Sequence, residues 1–259
     1  MSISSENAPV NTDSSREIYD SLFEDSTDYS DTLVSLFPPP VSASRPSEKI
    51  PLEDLVSLMR GEEWSDITRQ SRELYLSDEK EYKSHKASSL SYVTFSVISP
   101  NGHRIEHAES VTGLLGLDWD GKDYGPDFDV SSVLDTLKSS PYVVMAFISP
   151  SGNGVKAVIA VEKISNSNIA HKNLWTALDK YYAELTGYNS DPKCKNINRA
   201  CFMTHDPDMY VNFNASPYIR ESKSPDVEFE SEDTSTEKPK PKAKSGDGRI
   251  IRRLSLIHI

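Results

Sequence analysis

The chain has 259 residues and a formal net charge of −12, with 40 Asp and Glu residues against 28 Lys and Arg residues. This balance excludes a broadly basic surface, so any contact to nucleic acid has to be local. No apolar run approaches the roughly 20 residues of a membrane-spanning helix. Two cysteines, Cys194 and Cys201, are too few for a disulfide framework or a complete zinc site, so we expect a reduced, cytoplasmic protein without membrane contact.

Both ends of the chain differ in composition from the middle. Residues 1–50 are rich in Ser, Asp, Glu and Pro and carry 9 acids against 3 bases, which predicts a disordered acidic tail. Residues 221–253 predict a second disordered segment, a linker. The last six residues, 254–259, can be translated from an adapter sequence of sequencing libraries, so we interpret them as an artefact and expect the native chain to continue. Residues 51–220 remain for one packed domain.

The domain opens with a predicted helical preface at residues 51–90. Its apolar residues recur with helical spacing in two runs that meet at Gly61, so we expect two helices. Residues 91–220 form the predicted core, and the alternating β-branched and aromatic residues at 91–98 predict its first strand.

A regular alternation of strand and helix patterns follows. Apolar runs predict buried strands, and apolar residues at helical spacing predict the helices between them. The order is strand "LLGLDWD", helix "DVSSVLDTL", strand "YVVMAFIS", strand "VKAVIAVE", helix "HKNLWTALDKYYAEL" and strand "ACFMT". This β-α-β-β-α-β order predicts an α+β fold of the ferredoxin-like or RRM-like type.

The first of these strands ends in an acidic pair, Asp118 and Asp120. Because side chains alternate along a strand, both carboxylates lie on one face and Trp119 lies on the other. Like charges on one face are unfavourable unless a cation lies between them, and Mg²⁺ or Mn²⁺ prefers carboxylate oxygens. The pair therefore predicts a metal site, with two solvated acids at a strand end as the alternative.

The predicted topology brings a third carboxylate to the same edge of the sheet. Asp191 lies in the loop before the last strand, beside the acidic pair, whereas Asp206 follows that strand and falls at its opposite end. We therefore predict that the metal ligands are Asp118, Asp120 and Asp191, with Asp206 as the alternative third ligand.

The turn "SPSGNGVK" between the two central strands lies at that edge too. Its glycines permit backbone N–H groups to point at an anion, its serines supply hydroxyl donors, and a lysine follows. A triphosphate would suit this turn, although the same residues are typical of an ordinary hairpin. The predicted nucleotide-binding residues are Ser149, Ser151, Gly152, Gly154, Lys156 and Arg199, the last of which is alternatively a surface salt-bridge partner.

Three segments of the core resemble a known family. The segments "LLGLDWD", "FISPSGNGVKAVIAV" and "INRACFMTHDPDMYVN" resemble, in the same order, the VirE N-terminal (BT-type) domain of mobile-element proteins. That domain looks like a branch of the archaeo-eukaryotic primase and primase-polymerase superfamily. The likeness extends from the helical preface near residue 51 to about Tyr218.

The resemblance implies a primase-type catalytic core with an RRM-like half. The acidic first motif of the family matches Asp118 and Asp120 as metal ligands, and its third motif, an acid before an Arg-bearing strand, matches Asp191 and Arg199. The second motif usually holds a histidine near the triphosphate, where this sequence has Lys156. Related proteins often carry a helicase after such a domain.

We therefore hypothesise a nucleotidyl transferase that uses Mg²⁺ or Mn²⁺ and nucleoside triphosphates to make or extend primers on single-stranded DNA. It would serve the replication of a phage, a plasmid or an integrated mobile element. The alternative is a catalytically degenerate primase-fold module that binds nucleic acid or a helicase partner. A metal nuclease would use the same carboxylates.

Overall fold

The computed structural model describes residues 27–42, 45–163 and 167–220. Residues 1–26 of the predicted tail, and the predicted linker and artefact at 221–259, lie outside this part of the chain. The described residues have the predicted α+β fold. None of their helices combines the length and the apolar character that crossing a membrane requires.

Helices and strands alternate irregularly along the described part of the chain. Its helices are α1 (Leu52–Arg60), α2 (Ser65–Ser77), α3 (Glu79–Ser89), α4 (Val130–Lys138) and α5 (Asn168–Thr186). Its strands are β1 (Leu33–Phe37), β2 (Glu48–Pro51), β3 (Tyr92–Thr94), β4 (Val97–Ile98), β5 (Ser110–Val111), β6 (Leu114–Asp120), β7 (Val143–Ile148), β8 (Gly154–Ala160), β9 (Cys201–Phe202) and β10 (Tyr210–Val211).

The strands form two four-stranded antiparallel sheets and a small β4–β5 pair. The first sheet has the order β2-β1-β3-β9, and the second has the order β10-β7-β8-β6. In the second sheet, β8 lies between β6 and β7 and pairs antiparallel with both, while α4 connects those two strands. This is the split β-α-β arrangement that the sequence predicted.

The second sheet is covered on both faces, because every residue of β8 and nearly every residue of β7 is buried. Helices α4 and α5 pack on one face, where Leu115 and Leu117 of β6 meet Val133 and Leu178. The opposite face packs against the first sheet and α1. Buried residues of this second interface include Leu114, Val158, Val34, Val93 and Leu55.

The fold begins earlier than the sequence predicted. Residues 33–37, "LVSLF", belong to the predicted tail, yet they form β1 between β2 and β3, with Val34 and Phe37 fully buried. Five apolar-rich residues between acidic and Pro-rich stretches do not change the local composition enough to signal a fold. Their stability comes from pairing with strands distant in the sequence.

The helical preface contains three helices, and the prediction of two was wrong in one place. Gly61 ends α1, as expected, but the second predicted helix divides at Asp78. The Asp78 carboxylate accepts a hydrogen bond of 2.9 Å from the Glu81 N–H and thereby caps α3. An acidic N-cap in the middle of a polar helical run restarts the helix in a new direction.

The last predicted strand lies in a different sheet from the one expected. Strand β9 pairs with β3 in the first sheet, and β10 takes an edge of the second sheet beside β7. The predicted strand at 91–98 likewise divides into β3 and β4. Strands of two or three residues have too little pattern to select a partner, so tertiary packing decides where they lie.

A buried histidine lies where α5 meets the loop before β9. His171 is 3% exposed, and its Nε2 atom lies 3.4 Å from the Cys194 carbonyl oxygen. Burial lowers the pKa of His171 to about 4, because the imidazolium would lose its hydration.

We predict that His171 makes the fold less stable at mildly acidic pH. Its pKa is lower in the folded chain than the ordinary value of 6.5, so the unfolded chain binds the proton more readily and stability is lost as the pH falls below 6.5. Between pH 7.5 and 5 this should lower the free energy of unfolding by about 2 kcal/mol. Urea unfolding at pH 7.5 and pH 5 measures this change. The loss of unfolding free energy in His171→Gln should be smaller than in wild type by about 2 kcal/mol. Equal losses in the two proteins would contradict the assignment.

Candidate functional site

The acidic pair lies at the end of β6 with the predicted alternation of faces. Trp119 is buried in the core on the side of α5, and its indole N–H donates to the Tyr188 carbonyl at 3.1 Å. Asp118 and Asp120 are partly exposed on the opposite face of the sheet. The two carboxylates therefore share one surface, as the sequence predicted.

Asp118 is the counter-ion of a buried lysine. It forms an ion pair with Lys156, its direct cross-strand neighbour on β8, which is 8% exposed. Burial alone would lower the pKa of Lys156, but the Asp118 carboxylate outweighs this effect and holds the pKa above its ordinary value. The central strand of the sheet thus carries a positive charge that depends on Asp118.

Asp120 has a lysine of its own. Its carboxylate forms an ion pair with Lys122, whose side chain is 49% exposed, and also accepts the Lys122 backbone N–H at 3.2 Å. This second contact caps the short turn Gly121–Asp123. Two lysines, one for each acid, therefore neutralise the like charges of the pair.

Asp191 lies beside the acidic pair but turns its carboxylate to other partners. Its backbone N–H donates to the Asp118 carbonyl at 2.7 Å, which fixes the loop against the end of β6. Its carboxylate accepts the Lys193 N–H at 3.0 Å and lies 3.9 Å from a guanidinium nitrogen of Arg199. As third metal ligand, the carboxylate would have to share its oxygens with both partners.

The donor set fits a divalent ion that arrives with its substrate better than a resident ion. Within residues 27–42, 45–163 and 167–220, no three His, Cys, Asp or Glu side chains form a group that could hold a metal. Mg²⁺ is commonly bound by one or two carboxylates together with substrate phosphates and water. Asp118 and Asp120 can supply those two carboxylates.

Asp206, the alternative third ligand, has a structural role. The sequence predicted it at the far end of the sheet, but it lies at the end of β7, where its carboxylate accepts the Ile148 N–H at 2.8 Å. Its own N–H donates to the Met59 carbonyl at 2.9 Å. The chain returns antiparallel to β7 along β10, which brings Asp206 to this edge.

The turn at residues 149–154 bonds several of its backbone amides within itself. The Gly152 N–H donates to the Ser149 carbonyl at 2.9 Å, and the Asn153 N–H donates to the Ser151 hydroxyl at 3.2 Å. The Gly152 and Asn153 amides are therefore not directed at an anion, and the turn is a hairpin in its hydrogen bonding. Side-chain cations around the turn are further groups that can bind phosphate.

Two glycines allow the turn backbone to approach the end of β6 closely. Gly154 lies opposite Asp120, and a Cβ atom there would lie 2.6 Å from the Trp119 carbonyl oxygen. A Cβ atom on Gly121 would lie 2.7 Å from the Asn153 carbonyl oxygen, which accepts the Gly121 N–H. Both positions exclude a side chain because the backbones approach closely.

Helices α2 and α3 form one side of the site, which we call the helical wall. Three successive turn residues face it: the Ser151 hydroxyl lies near Tyr82, Gly152 lies against Arg72, and the Asn153 amide donates to the Tyr75 hydroxyl at 2.9 Å. The rings of Tyr75 and Tyr82 pack edge to face at 5.2 Å.

These wall residues were not predicted from the sequence to belong to the site. Lys86, one helical turn beyond Tyr82, also faces the acidic pair. The spacing of four residues between Tyr82 and Lys86 places them on one face of α3, which is the one signal that could have found them.

A cleft that is open to solvent runs from Asp118 towards the loop before β9. Asp118, Lys156 and Arg199 contribute its charged groups, and both cysteines line it. Burial raises the pKa of Cys201 to about 11 and raises that of Cys194 as well, so both thiols are neutral at physiological pH. The cysteines therefore shape the cleft without supplying a nucleophile.

Residues 85–211 match the family model described as the BT4734-like N-terminal domain. The matched range contains the acidic pair, the turn and the Asp191 loop, and most of the helical wall precedes it. No curated protein and no solved structure gives a significant match to the chain. The family match and the resemblance found in the sequence thus fall on the same segment of the chain.

We predict that the two acids differ in their contribution to stability. Asp118→Asn leaves a buried ammonium without its counter-ion and should lower the free energy of unfolding by about 3 kcal/mol. Asp120→Asn breaks a more exposed pair and should cost less than about 1 kcal/mol. Urea unfolding measures both changes. The double variant Asp118→Asn/Lys156→Met should recover most of the loss, and a double variant as unstable as Asp118→Asn would contradict this account.

The close approach at the end of the sheet gives a second prediction. Gly154→Ala should destabilise the fold by about 2 kcal/mol, because the new methyl group meets a backbone carbonyl that cannot move aside. Gly116→Ala on β6 is the matched control, because its methyl group would lie 3.9 Å from the nearest atom, on Phe95. Thermal unfolding should show a clear loss for the first variant only. Equal effects would contradict the steric argument.

Proposed function

We propose that this chain is a metal-dependent nucleotidyl transferase that makes or extends primers on single-stranded DNA, as a member of the primase and primase-polymerase superfamily. The observation that carries the proposal is the acidic pair at the end of β6, where Asp118 borders a cleft and each of the two acids has a lysine beside it. Carboxylates for a metal and cations for phosphate are the two requirements of phosphoryl transfer.

The family match supports the same reading. The matched segment carries the acidic pair, and the sequence resemblance relates that pair to the first catalytic motif of the VirE N-terminal domain. The protein would act in the cytoplasm on the DNA of a phage, a plasmid or an integrated mobile element, with a helicase as partner.

Each charged group has a definite task in this proposal. Asp118 and Asp120 would hold Mg²⁺ or Mn²⁺, which when bound neutralises the triphosphate and activates the 3′-hydroxyl for in-line attack. Lys156 and Lys122 stand next to these carboxylates and would neutralise phosphate oxygens. Arg199, held near Asp191, would face the leaving phosphate from the cleft side.

A specific observation favours the second candidate, a degenerate primase-fold module that binds nucleic acid or a helicase without catalysis. Both carboxylates of the pair already have a lysine partner, and the described residues assemble no group of three metal ligands. Such a module would keep the ion pairs as structural contacts and would bind no Mn²⁺.

Primer synthesis decides between the two candidates. We expect the full chain to extend a labelled primer on single-stranded DNA with Mn²⁺ and nucleoside triphosphates, and Asp120→Asn to lower the rate at least a hundredfold because one of the two metal carboxylates is lost. Asp120 is the better test position, because its pair with Lys122 is exposed and the fold should tolerate the change.

Asp135→Asn is the matched control, because Asp135 is also an exposed, lysine-paired aspartate but lies on α4, away from the pair. It should retain the wild-type rate. Equal rates in wild type and Asp120→Asn would contradict the catalytic role of the pair. No product from a folded wild-type chain that also fails to bind Mn²⁺ would favour the binding module.

A further inference from the structure

Two cations of the helical wall differ from their neighbours on the same helices. On the exposed side of α2, Arg69 forms ion pairs with Asp66 and Glu73, and on α3 Lys83 forms one with Glu79. Arg72 and Lys86 point inward instead, and neither forms an ion pair with any residue in the described ranges of the chain. An inward cation without a counter-ion costs free energy, which a bound anion would recover.

Arg72 lies against the glycine of the turn. A Cβ atom on Gly152 would lie 3.5 Å from the Arg72 Cγ, Cδ and Nε atoms, so the side chain packs directly on the turn backbone. Gly152 has a φ of +77°, which glycine adopts without strain. The Arg72 Nε atom is buried and has no hydrogen-bond partner within the described part of the chain. A donor without an acceptor next to a polar turn is suited to a phosphate oxygen.

Lys86 faces the acidic pair from the other helix of the wall. Its Nζ atom lies 5.5 Å from the centre of the Tyr82 ring and 5.4 Å from that of Phe202. Burial lowers the pKa of Lys86, and the nearby Lys156 charge lowers it further, while the acidic pair raises it. Within the described part of the chain Lys86 thus meets two aromatic rings and forms no ion pair, which leaves its charge open to an anion.

We propose that Arg72 and Lys86 bind the triphosphate of the incoming nucleotide, so that the helical wall is a functional part of the site. The inference rests on the proposed function for the identity of the ligand. It assigns phosphate recognition to two side chains of the wall, because the Gly152 and Asn153 amides are already bonded within the hairpin. Arg72 lies outside the segment that the family model matches.

A triphosphate fits these cations better than the backbone of a nucleic acid does. Arg72 packs on the turn and Lys86 lies near the acidic pair, so the two cations belong to one small region, whereas a strand of DNA needs cations repeated along a groove. The chain is acidic overall, with a net charge of −12, which opposes extended contact with a polyanion.

Calorimetric titration of the full chain with sodium tripolyphosphate, in buffer without divalent metal, tests the proposal. We expect Arg72→Gln and Lys86→Gln each to weaken binding about tenfold, the effect of losing one charge-assisted contact. Arg69→Gln and Lys83→Gln are matched controls on the exposed sides of the same helices and should change binding less than about twofold. The charge-conserving Lys86→Arg should retain most of the affinity, which separates the loss of charge from a packing defect.

Four results would overturn the proposal. Wild type could fail to bind tripolyphosphate, or test and control variants could bind it with equal affinity. Lys86→Arg could lose as much affinity as Lys86→Gln, or the test variants could bind a single-stranded oligonucleotide more weakly while their tripolyphosphate binding is unchanged. The readout is independent of catalysis, because it requires neither metal nor template. If primers are made but Arg72→Gln and Lys86→Gln bind tripolyphosphate normally, this inference alone fails. If these two variants bind weakly as expected but no primer is made, the transferase proposal alone fails.

Discussion

A pair of opposite charges inside the second sheet constrains the structure around it. Lys156 lies in β8, a strand that is buried along its whole length, and Asp118 is its counter-ion on β6. Because side chains alternate along a strand, a slip of one residue between β6 and β8 would turn Lys156 towards the apolar layer under α4 and α5. The ion pair therefore holds the strand register as well as the charge balance.

The rest of the site follows from that register. With Asp118 opposite Lys156, Asp120 comes to lie opposite Gly154, and the absence of a side chain there lets the turn fold back over the end of β6. The turn then presents three residues to the helical wall. A structural contact and a binding surface thus use the same few residues, which explains why charged groups cluster at one end of an acidic protein.

Local patterns in the sequence predicted the parts of the fold that depend on neighbouring residues. The alternation around Trp119, the hairpin at Gly152 and the helical spacing in α5 each involve residues close together in the chain. Together they were enough to predict the split β-α-β unit and the shared face of Asp118 and Asp120.

The features that the sequence did not reveal depend on contacts between distant residues. Strand β9 pairs with β3 about a hundred residues earlier, and Asn153 bonds to Tyr75 across 78 residues. Asp206 looked like a candidate ligand because a carboxylate is visible in the sequence, whereas its backbone partner at Ile148 is not. The sequence alone does not distinguish an aspartate that accepts a backbone N–H from one that binds a ligand.

The central position of β1 determines how short a working version of this protein can be. Phe37 stacks on the Tyr92 ring at 4.7 Å, and β1 joins β2 to the rest of the first sheet. The Tyr29 N–H ahead of β1 also bonds to the Phe213 carbonyl at 2.9 Å, near the other end of the described chain. A shortened chain that starts within the Pro-rich stretch after β1 would expose the core between the two sheets, so the boundary for recombinant fragments belongs before Tyr29.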